Sequence, residues 1–140
     1  MSQEVIDWWN SWDDGARLRD VLGMRLLEDD GEHVLFEVRE TDFNKVYGYF
    51  AGYALLGVVE HAPAILVHYE EHLKNVETRT VVLSWLTTGM TVEFLSNSRA
   101  GAVVCESRWL ERGEDELKVR TEIRDGERVL LRSDSTLTKR

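Results

Sequence analysis

The sequence predicts an α+β domain in which an antiparallel sheet of five to six strands wraps around one long central helix. Residues 49–62 form an apolar run whose large side chains recur at helical spacing and do not alternate. The chain beyond residue 90 consists of short segments with one apolar face each, separated by turn residues. No helix recurs between those later strands, which excludes a βαβ repeat. A sheet curled around the helix therefore buries both.

Length and composition indicate a single domain over residues 1–140, since domains of about 100–200 residues are typical. Hydrophobic residues make up 43% and charged residues 31% of the chain, as in an ordinary globular protein. The net charge of −9 disfavours nucleic acid and anionic membranes as partners, because both require clustered Lys and Arg.

Cysteine content and the apolar runs give an expected location. Cys105 is the single cysteine, so no internal disulfide can form. The N-terminal segment lacks the basic and apolar regions of a signal peptide. No apolar run reaches the roughly 20 residues of a membrane span. We therefore expect a cytoplasmic protein with no membrane segment.

An N-terminal helical segment precedes the first strands. Residues 3–12 carry Trp8, Trp9 and Trp12 on one helical face, and we expect these rings to pack on the sheet or at a subunit interface. Ala16–Leu22 predicts a second short helix. Residues 24–28 and 33–39 predict two strands joined by a turn at residues 30–31.

The central helix is predicted from about Tyr49. It is apolar nearly all round, which is typical of a buried helix. Pro63 cannot donate an N–H to the carbonyl four residues back, so a kink or restart is expected there, followed by helix over residues 64–73. Gly57 is expected to allow close packing.

The remainder of the chain predicts a strand meander. Leu117, Val119, Thr121 and Ile123 alternate with charged residues, which indicates a strand with one buried and one solvated face. Asp125-Gly126 is a two-residue hairpin signal. Residues 78–86 are apolar and β-branched, with helix and strand both left open. The predicted strands are residues 91–95, 102–111, 116–124 and 128–138.

Three local patterns follow one another along residues 16–138. The first is residues 22–27, LGMRLL. The second is Asn44 with residues 50–52 (FAG) and Glu60, and the third is residues 91–95 with Ala100-Gly101. In this order they resemble the first strand, the central helix with its preceding loop, and a later strand and turn of the hotdog-fold acyl-CoA thioesterase superfamily. The phenylacetate-type and 4-hydroxybenzoyl-CoA thioesterase-like branches are the most similar in kind.

The resemblance implies hydrolysis of an acyl-CoA thioester without a cofactor. Gly52 would supply the backbone N–H that binds the thioester carbonyl, and Glu60 would be the nucleophile or general base. In many relatives these groups come from opposite subunits, so a homodimer or homotetramer is expected. A helix N-terminus suits a developing oxyanion, and glycine allows close approach to the backbone.

The remaining site candidates follow the same motif. Asn44 would orient the carbonyl or a water molecule, and Phe50 and Ala51 would contact the substrate. Arg99 and Arg112, near predicted strand ends, are candidates to bind coenzyme A phosphates.

Other readings of the sequence remain open. Ala51 stands where many relatives carry histidine, which favours a non-catalytic hotdog protein that binds an acyl or aromatic ligand or acts as an assembly module. Glu60 could instead mark the point where the helix reaches solvent. The nuclear-transport-factor-like cone also begins with helices and ends in strands, but the long helix after the second strand argues against it.

Two further parts of the sequence contain residue types that can bind a metal or act as a nucleophile. Residues 68–72, HYEEH, match the H-x-x-E-H pattern of some zinc peptidases, but no third ligand is evident and we predict no metal site. Cys105 lies on a predicted strand and is expected to be a buried thiol rather than a nucleophile.

Overall fold

A computed structural model describes residues 3–11, 16–71, 73 and 84–140. Its helices are α1 (Gln3–Ser11), α2 (Ala16–Leu22) and α3 (Gly52–Val67). Its strands are β1 (Met24–Asp29), β2 (His33–Arg39), β3 (Lys45–Val46), β4 (Tyr49–Phe50), β5 (Trp85–Phe94), β6 (Ala102–Arg112), β7 (Glu116–Asp125) and β8 (Arg128–Lys139).

The six long strands form one antiparallel sheet in the order β1-β2-β6-β7-β8-β5, and β3 and β4 form a separate small hairpin. Strand β7 buries Leu117, Val119, Thr121 and Ile123 and turns the residues between them outward, as its alternation predicts. The sheet wraps around α3, so the predicted α+β architecture with a central helix is confirmed.

Helix α3 carries most of the core opposite the sheet. Its buried side chains include Leu55, Val58, Val59 and Leu66, each at most 2% exposed. Pro63 lies inside the helix, which continues to Val67, so the expected restart does not occur. Gly57 lies against α2 rather than the sheet: a Cβ there would meet the Leu22 side chain at 2.9 Å.

The predicted helix start is wrong by three residues. Tyr47 (φ 52°) and Gly48 (φ 85°) form a turn with two left-handed residues, and Tyr49 pairs with Val46 in the β3–β4 hairpin. Two positive φ values in succession define the common two-residue hairpin turn. The helix therefore begins only at Gly52.

The N-terminal helices close the other side of the core. Trp9 is 4% exposed and meets Phe36 of β2 edge to face, with ring centroids 5.1 Å apart. Arg19 donates to the Trp9 carbonyl and stacks on its ring. The expected packing of Trp9 on the sheet is confirmed. Trp12 lies outside the described residues. So do residues 78–83, which belong to the segment 78–86 whose sequence is compatible with either helix or strand.

Strand β5 begins at Trp85 and is longer than residues 91–95 predict. Among the described residues, no helix is both long and apolar enough to cross a membrane.

Candidate active site

The start of α3 presents an unused backbone donor. Ala51 caps the helix with extended backbone (φ −70°, ψ 138°) and no side-chain cap. Its carbonyl accepts the N–H groups of Ala54 (3.0 Å) and Leu55 (3.1 Å), and its own N–H donates to Asn44 O (2.8 Å). Gly52 N–H has no hydrogen-bond partner among the described residues, and Gly52 is exposed. This N–H therefore points to solvent at the positive end of the helix dipole.

Phe94, at the end of β5, lies beside this donor. A Cβ added to Gly52 would stand 3.8 Å from the Phe94 ring, which is ordinary van der Waals contact. The ring itself is 56% exposed. No local sequence pattern indicates this neighbour, because the sheet topology alone brings the end of β5 to the start of α3.

Asn44 holds the loop before the helix. Its side chain is fully buried. The amide nitrogen donates to Arg39 O (2.7 Å) and Leu22 O (3.2 Å), and the amide oxygen accepts from Thr41 N–H (2.7 Å). Together with the bond from Ala51 N–H, these contacts fix where the helix starts.

Phe50 and Ala51 are buried, with 1% and 4% exposure. The Phe50 ring lies under the Lys45 ammonium, 4.1 Å from its centroid. The structure thus places both side chains in the core rather than on an open surface. Their backbone, not their side chains, borders the Gly52 donor.

Glu60 lies on the outward face of α3. Tyr53, Leu56 and Glu60 form an exposed stripe along that face, and Glu60 has no hydrogen bond or ion pair with the described residues. Tyr53 is anchored because its hydroxyl donates to Phe43 O. The neighbouring His61 is half-buried beside Trp9, and burial lowers the pKa of its imidazole.

The two predicted phosphate-binding arginines lie at opposite ends of the sheet. Arg99 stacks on Tyr49, 4.6 Å from the ring centroid, beside the hairpin that leads into α3. Arg112 ends β6, donates to Gly31 O (2.8 Å) and pairs with Glu32 (3.3 Å). Strand β6 is about 33 Å long at 3.3 Å per residue. Of these two arginines, Arg99 is therefore the one that lies at the same end of β6 as the start of α3 within one chain.

His68 has a structural place at the end of α3. Its Nε2 accepts the N–H groups of Ser84 (3.1 Å) and Trp85 (3.2 Å), and its Nδ1 lies 2.7 Å from Ala64 O. Both ring nitrogens are engaged with backbone, which rules out His68 as a zinc ligand in this conformation. His72, the other histidine of that pattern, lies outside the described residues.

One group among the described residues has the ligand types for a cation. Glu28, Asp30 and His33, at the β1–β2 turn, have ligand atoms within 4.8 Å of one another. The His33 ring nitrogens lie 3.1 Å from an Asp30 carboxylate oxygen and 3.5 Å from a Glu28 carboxylate oxygen, and these contacts account for the closeness of the group. Cys105 is fully buried, as its place on a predicted strand implied, and burial raises the pKa of its thiol.

Comparison with known proteins supports the fold. No protein-family model and no curated protein matches the sequence. Among solved structures, zebra fish thioesterase superfamily member 2 matches with a TM-score of 0.76 at 10% identity, covering 99% of this chain and 95% of that one. A mutant thioesterase from Pseudomonas aeruginosa matches with a TM-score of 0.73 at 14% identity, with 99% and 93% covered.

A third solved structure also matches this chain. It is a phenylacetic acid degradation-related protein from Ralstonia eutropha, with a TM-score of 0.69 at 20% identity, covering 87% of this chain and 89% of that one. At these identities the likeness is one of fold. The chain described here has the hotdog fold, as its resemblance to the thioesterase superfamily implied.

Proposed function

We propose that this hotdog-fold chain is a thioesterase that hydrolyses acyl-CoA thioesters at a site built around Gly52 and Glu60. The observation that carries the proposal is the unpaired Gly52 N–H at the start of a 16-residue helix. A donor in this position stabilises the negative charge that develops on a thioester carbonyl during attack. It is also exposed, so a substrate can reach it.

The reaction proceeds by addition and elimination. The Glu60 carboxylate takes a proton from water as the water oxygen bonds to the carbonyl carbon, and the carbonyl oxygen becomes an oxyanion held by Gly52 N–H. The carbon–sulfur bond then breaks, and the thiolate leaves and takes up a proton. In the alternative route Glu60 attacks the carbonyl carbon directly and the thiolate leaves, and water then hydrolyses the resulting mixed anhydride to the same acid and the free carboxylate. Neither route requires a cofactor.

The site is proposed to be shared between two copies of the chain. Gly52 and Glu60 are eight residues apart on one helix, about 12 Å along its axis. A single thioester cannot bridge that separation, because catalytic groups must lie within about 3 Å of the reacting atoms. A carboxylate from a second copy is therefore needed beside each Gly52.

Strand β5 supplies a surface for that second copy. It is an edge strand of 10 residues with one charged side chain, Glu93, and its exposed apolar side chains include Leu86, Met90 and Phe94. Both edge strands carry a bulge, β1 between Leu26 and Glu28 and β5 between Thr87 and Gly89, but β1 also packs against α1. No described helix covers β5 in the same way. An edge strand without such cover pairs readily with another strand, so a homodimer through β5 is the arrangement we propose.

Asn44, Phe50 and Ala51 act in this proposal by positioning the Gly52 donor. Asn44 uses its amide within the loop, and Phe50 and Ala51 are buried. They set the direction of the first helical N–H rather than touching the substrate.

A second candidate is a non-catalytic protein that binds an acyl or aromatic ligand in the same place. It is favoured by Ala51, whose methyl group offers no donor where many relatives carry histidine. Ligand binding without turnover would distinguish it.

The test is thiol release from a panel of aliphatic and aromatic acyl-CoAs, including phenylacetyl-CoA. We expect turnover of at least one member, and a fall of at least about 100-fold in kcat in Glu60→Gln. Glu70→Gln is the matched control, because Glu70 is also exposed but lies beyond the end of α3. The enzyme proposal fails if no member is turned over, or if the two variants and the wild type are equal.

A further inference from the structure

Helix α1 covers one edge of the sheet in the way that a neighbouring strand would. The Asn10 side-chain nitrogen donates to Leu26 O (3.2 Å), and the side-chain oxygen accepts from Leu26 N–H (3.0 Å). Leu26 lies on the edge strand β1, and in an antiparallel sheet the N–H and C=O of one residue point to the same side. One side chain therefore satisfies both backbone groups that Leu26 would otherwise offer to a further strand.

A small set of contacts holds α1 in place. Trp9 is buried against Phe36 of β2, and Arg19 of α2 donates to the Trp9 carbonyl. The exposed face of α1 includes Gln3, Glu4, Asp7 and Ser11. A helix of nine residues is marginal in water on its own, so α1 is stable only while it is docked. Loss of the contact with β1 therefore favours release of α1 from this edge.

Strand β1 would be open to pairing without this cover. Its bulge lies after Leu26, so residues 24–26 keep a regular register with β2. Leu27, which is 41% exposed, adds an apolar side chain to the edge. A regular edge with free backbone groups and an exposed apolar side chain is a template for another strand.

The uncovered edge would match a second copy of itself. Antiparallel pairing centred on Leu26 places each Leu26 N–H opposite the Leu26 carbonyl of the other copy. It also brings Leu27 and Glu28 of one copy beside Arg25 of the other. The pairing therefore joins opposite charges and covers an exposed leucine.

We propose that α1 is an autoinhibitory cover of the β1 edge: Asn10 takes the place of a neighbouring strand, and release of α1 lets β1 pair with β1 of a second copy. This device is independent of the proposed activity, because it uses neither Gly52 nor Glu60. It adds a second, restrained interface to the proposed β5 dimer, so release of α1 joins dimers into longer sheets. In a chain that is monomeric with α1 docked, release gives a dimer instead.

The test compares the assembly mass of variants by sedimentation velocity over a series of protein concentrations. Asn10→Leu keeps the size of the side chain but removes both hydrogen bonds, and we expect its mass at high concentration to be at least about twofold that of wild type. In dilute solution, the Leu26 amide should exchange hydrogen for deuterium at least about tenfold faster than in wild type. Gln3→Leu is the matched control, because it replaces an exposed amide of α1 that bonds Asp7 within the same helix. It should match wild type in both measurements.

A second pair of variants tests the partner surface. Adding Leu27→Lys to Asn10→Leu brings a positive charge beside Arg25 of the second copy, so the mass should return to that of wild type, whereas Leu27→Glu should keep the larger assembly. An Asn10→Leu mass equal to wild type overturns the cover, whether or not Leu26 exchange changes. The proposal is also overturned by an equal rise in mass in Gln3→Leu, or by larger assemblies that persist after Leu27→Lys, because another surface would then be responsible.

Discussion

Gly52 and Glu60 lie on the same helix about two turns apart, with the Gly52 N–H at its first position and the Glu60 carboxylate on its outward face. Their axial separation of about 12 Å keeps them from acting on the same carbonyl group within one chain. The relationship makes two predictions, one for the Gly52 N–H donor and one for the sharing of the site between two chains.

The first prediction concerns the donor itself. Gly52→Pro removes the N–H but suits the position, because proline is favoured at the first residue of a helix and Ala51 has the extended backbone that must precede it. We expect kcat to fall about 100- to 1,000-fold with an unchanged circular dichroism spectrum.

Gly52→Ala is the matched control for this variant. It keeps the N–H, and the added methyl group meets the Phe94 ring at an ordinary contact distance. Its kcat should stay within a few-fold of wild type. Equal loss in both variants would mean that space at Gly52, rather than its N–H, is what the reaction needs.

The second prediction tests whether the site is shared. A mixed dimer of one Gly52→Pro chain and one Glu60→Gln chain has one site with both defects and one site with neither, if each site takes its two groups from different chains. Purified through two different tags, it should show about half the wild-type activity per dimer, while each variant alone is inactive. An inactive mixed dimer would place both groups in one chain's site.

The third prediction is a pH dependence of stability. Asp29 is 1% exposed; its Oδ1 accepts from Gly31 N–H (3.1 Å) and its Oδ2 has no partner among the described residues. Burial, reinforced by Asp30, raises the pKa of its carboxyl to about 7. The folded chain therefore holds a proton that the unfolded chain releases near pH 4. Stability should fall as pH rises from about 4 to 7, by up to about 4 kcal/mol.

Asp29→Asn removes this titration and should be more stable than wild type at pH 8 by urea denaturation. Asp30→Asn is the neighbouring control. Hydrogen bonds from the His33 and Glu32 N–H groups hold the pKa of Asp30 below its usual range. The ionised Asp30 carboxylate therefore stabilises the fold above that range, and this stabilisation is lost in acid. At pH 8 the free energy of unfolding should be higher than wild type in Asp29→Asn and lower than wild type in Asp30→Asn. A flat wild-type profile from pH 5 to 8 would contradict the assignment for Asp29.

Asp29 also shows where sequence patterns stop being informative. Alternation predicted β2 and β7 almost to the residue, because each has one face on the core and one in water. In β1 a bulge between Leu26 and Glu28 shifts the alternation, so Leu27 and Glu28 both face solvent and Asp29 turns inward. A bulge of this kind is set by pairing with β2, which local sequence does not report.

The candidate site likewise has one part that local sequence predicts and another that depends on the sheet topology. The spacing of Gly52 and Glu60 was readable because both lie on one helix. Three features depend on which end of each strand meets the helix start: the contact of Phe94 with Gly52, the stacking of Arg99 on Tyr49, and the distant position of Arg112. Strand ends look alike in sequence, and only the sheet order distinguishes them.

The last prediction assigns His68 to stability rather than to metal binding. The ring is 1% exposed and joins the end of α3 to the start of β5 by accepting two backbone N–H groups. His68→Phe keeps the volume but leaves those two part-buried N–H groups without the acceptor that they share, at a total cost of about 1–3 kcal/mol. We expect a lower urea midpoint, whereas His68→Gln, whose amide oxygen can accept, should recover part of the loss. Zinc added to wild type should leave the melting temperature unchanged. A rise with zinc that disappears in His68→Gln would instead restore the metal reading of this segment.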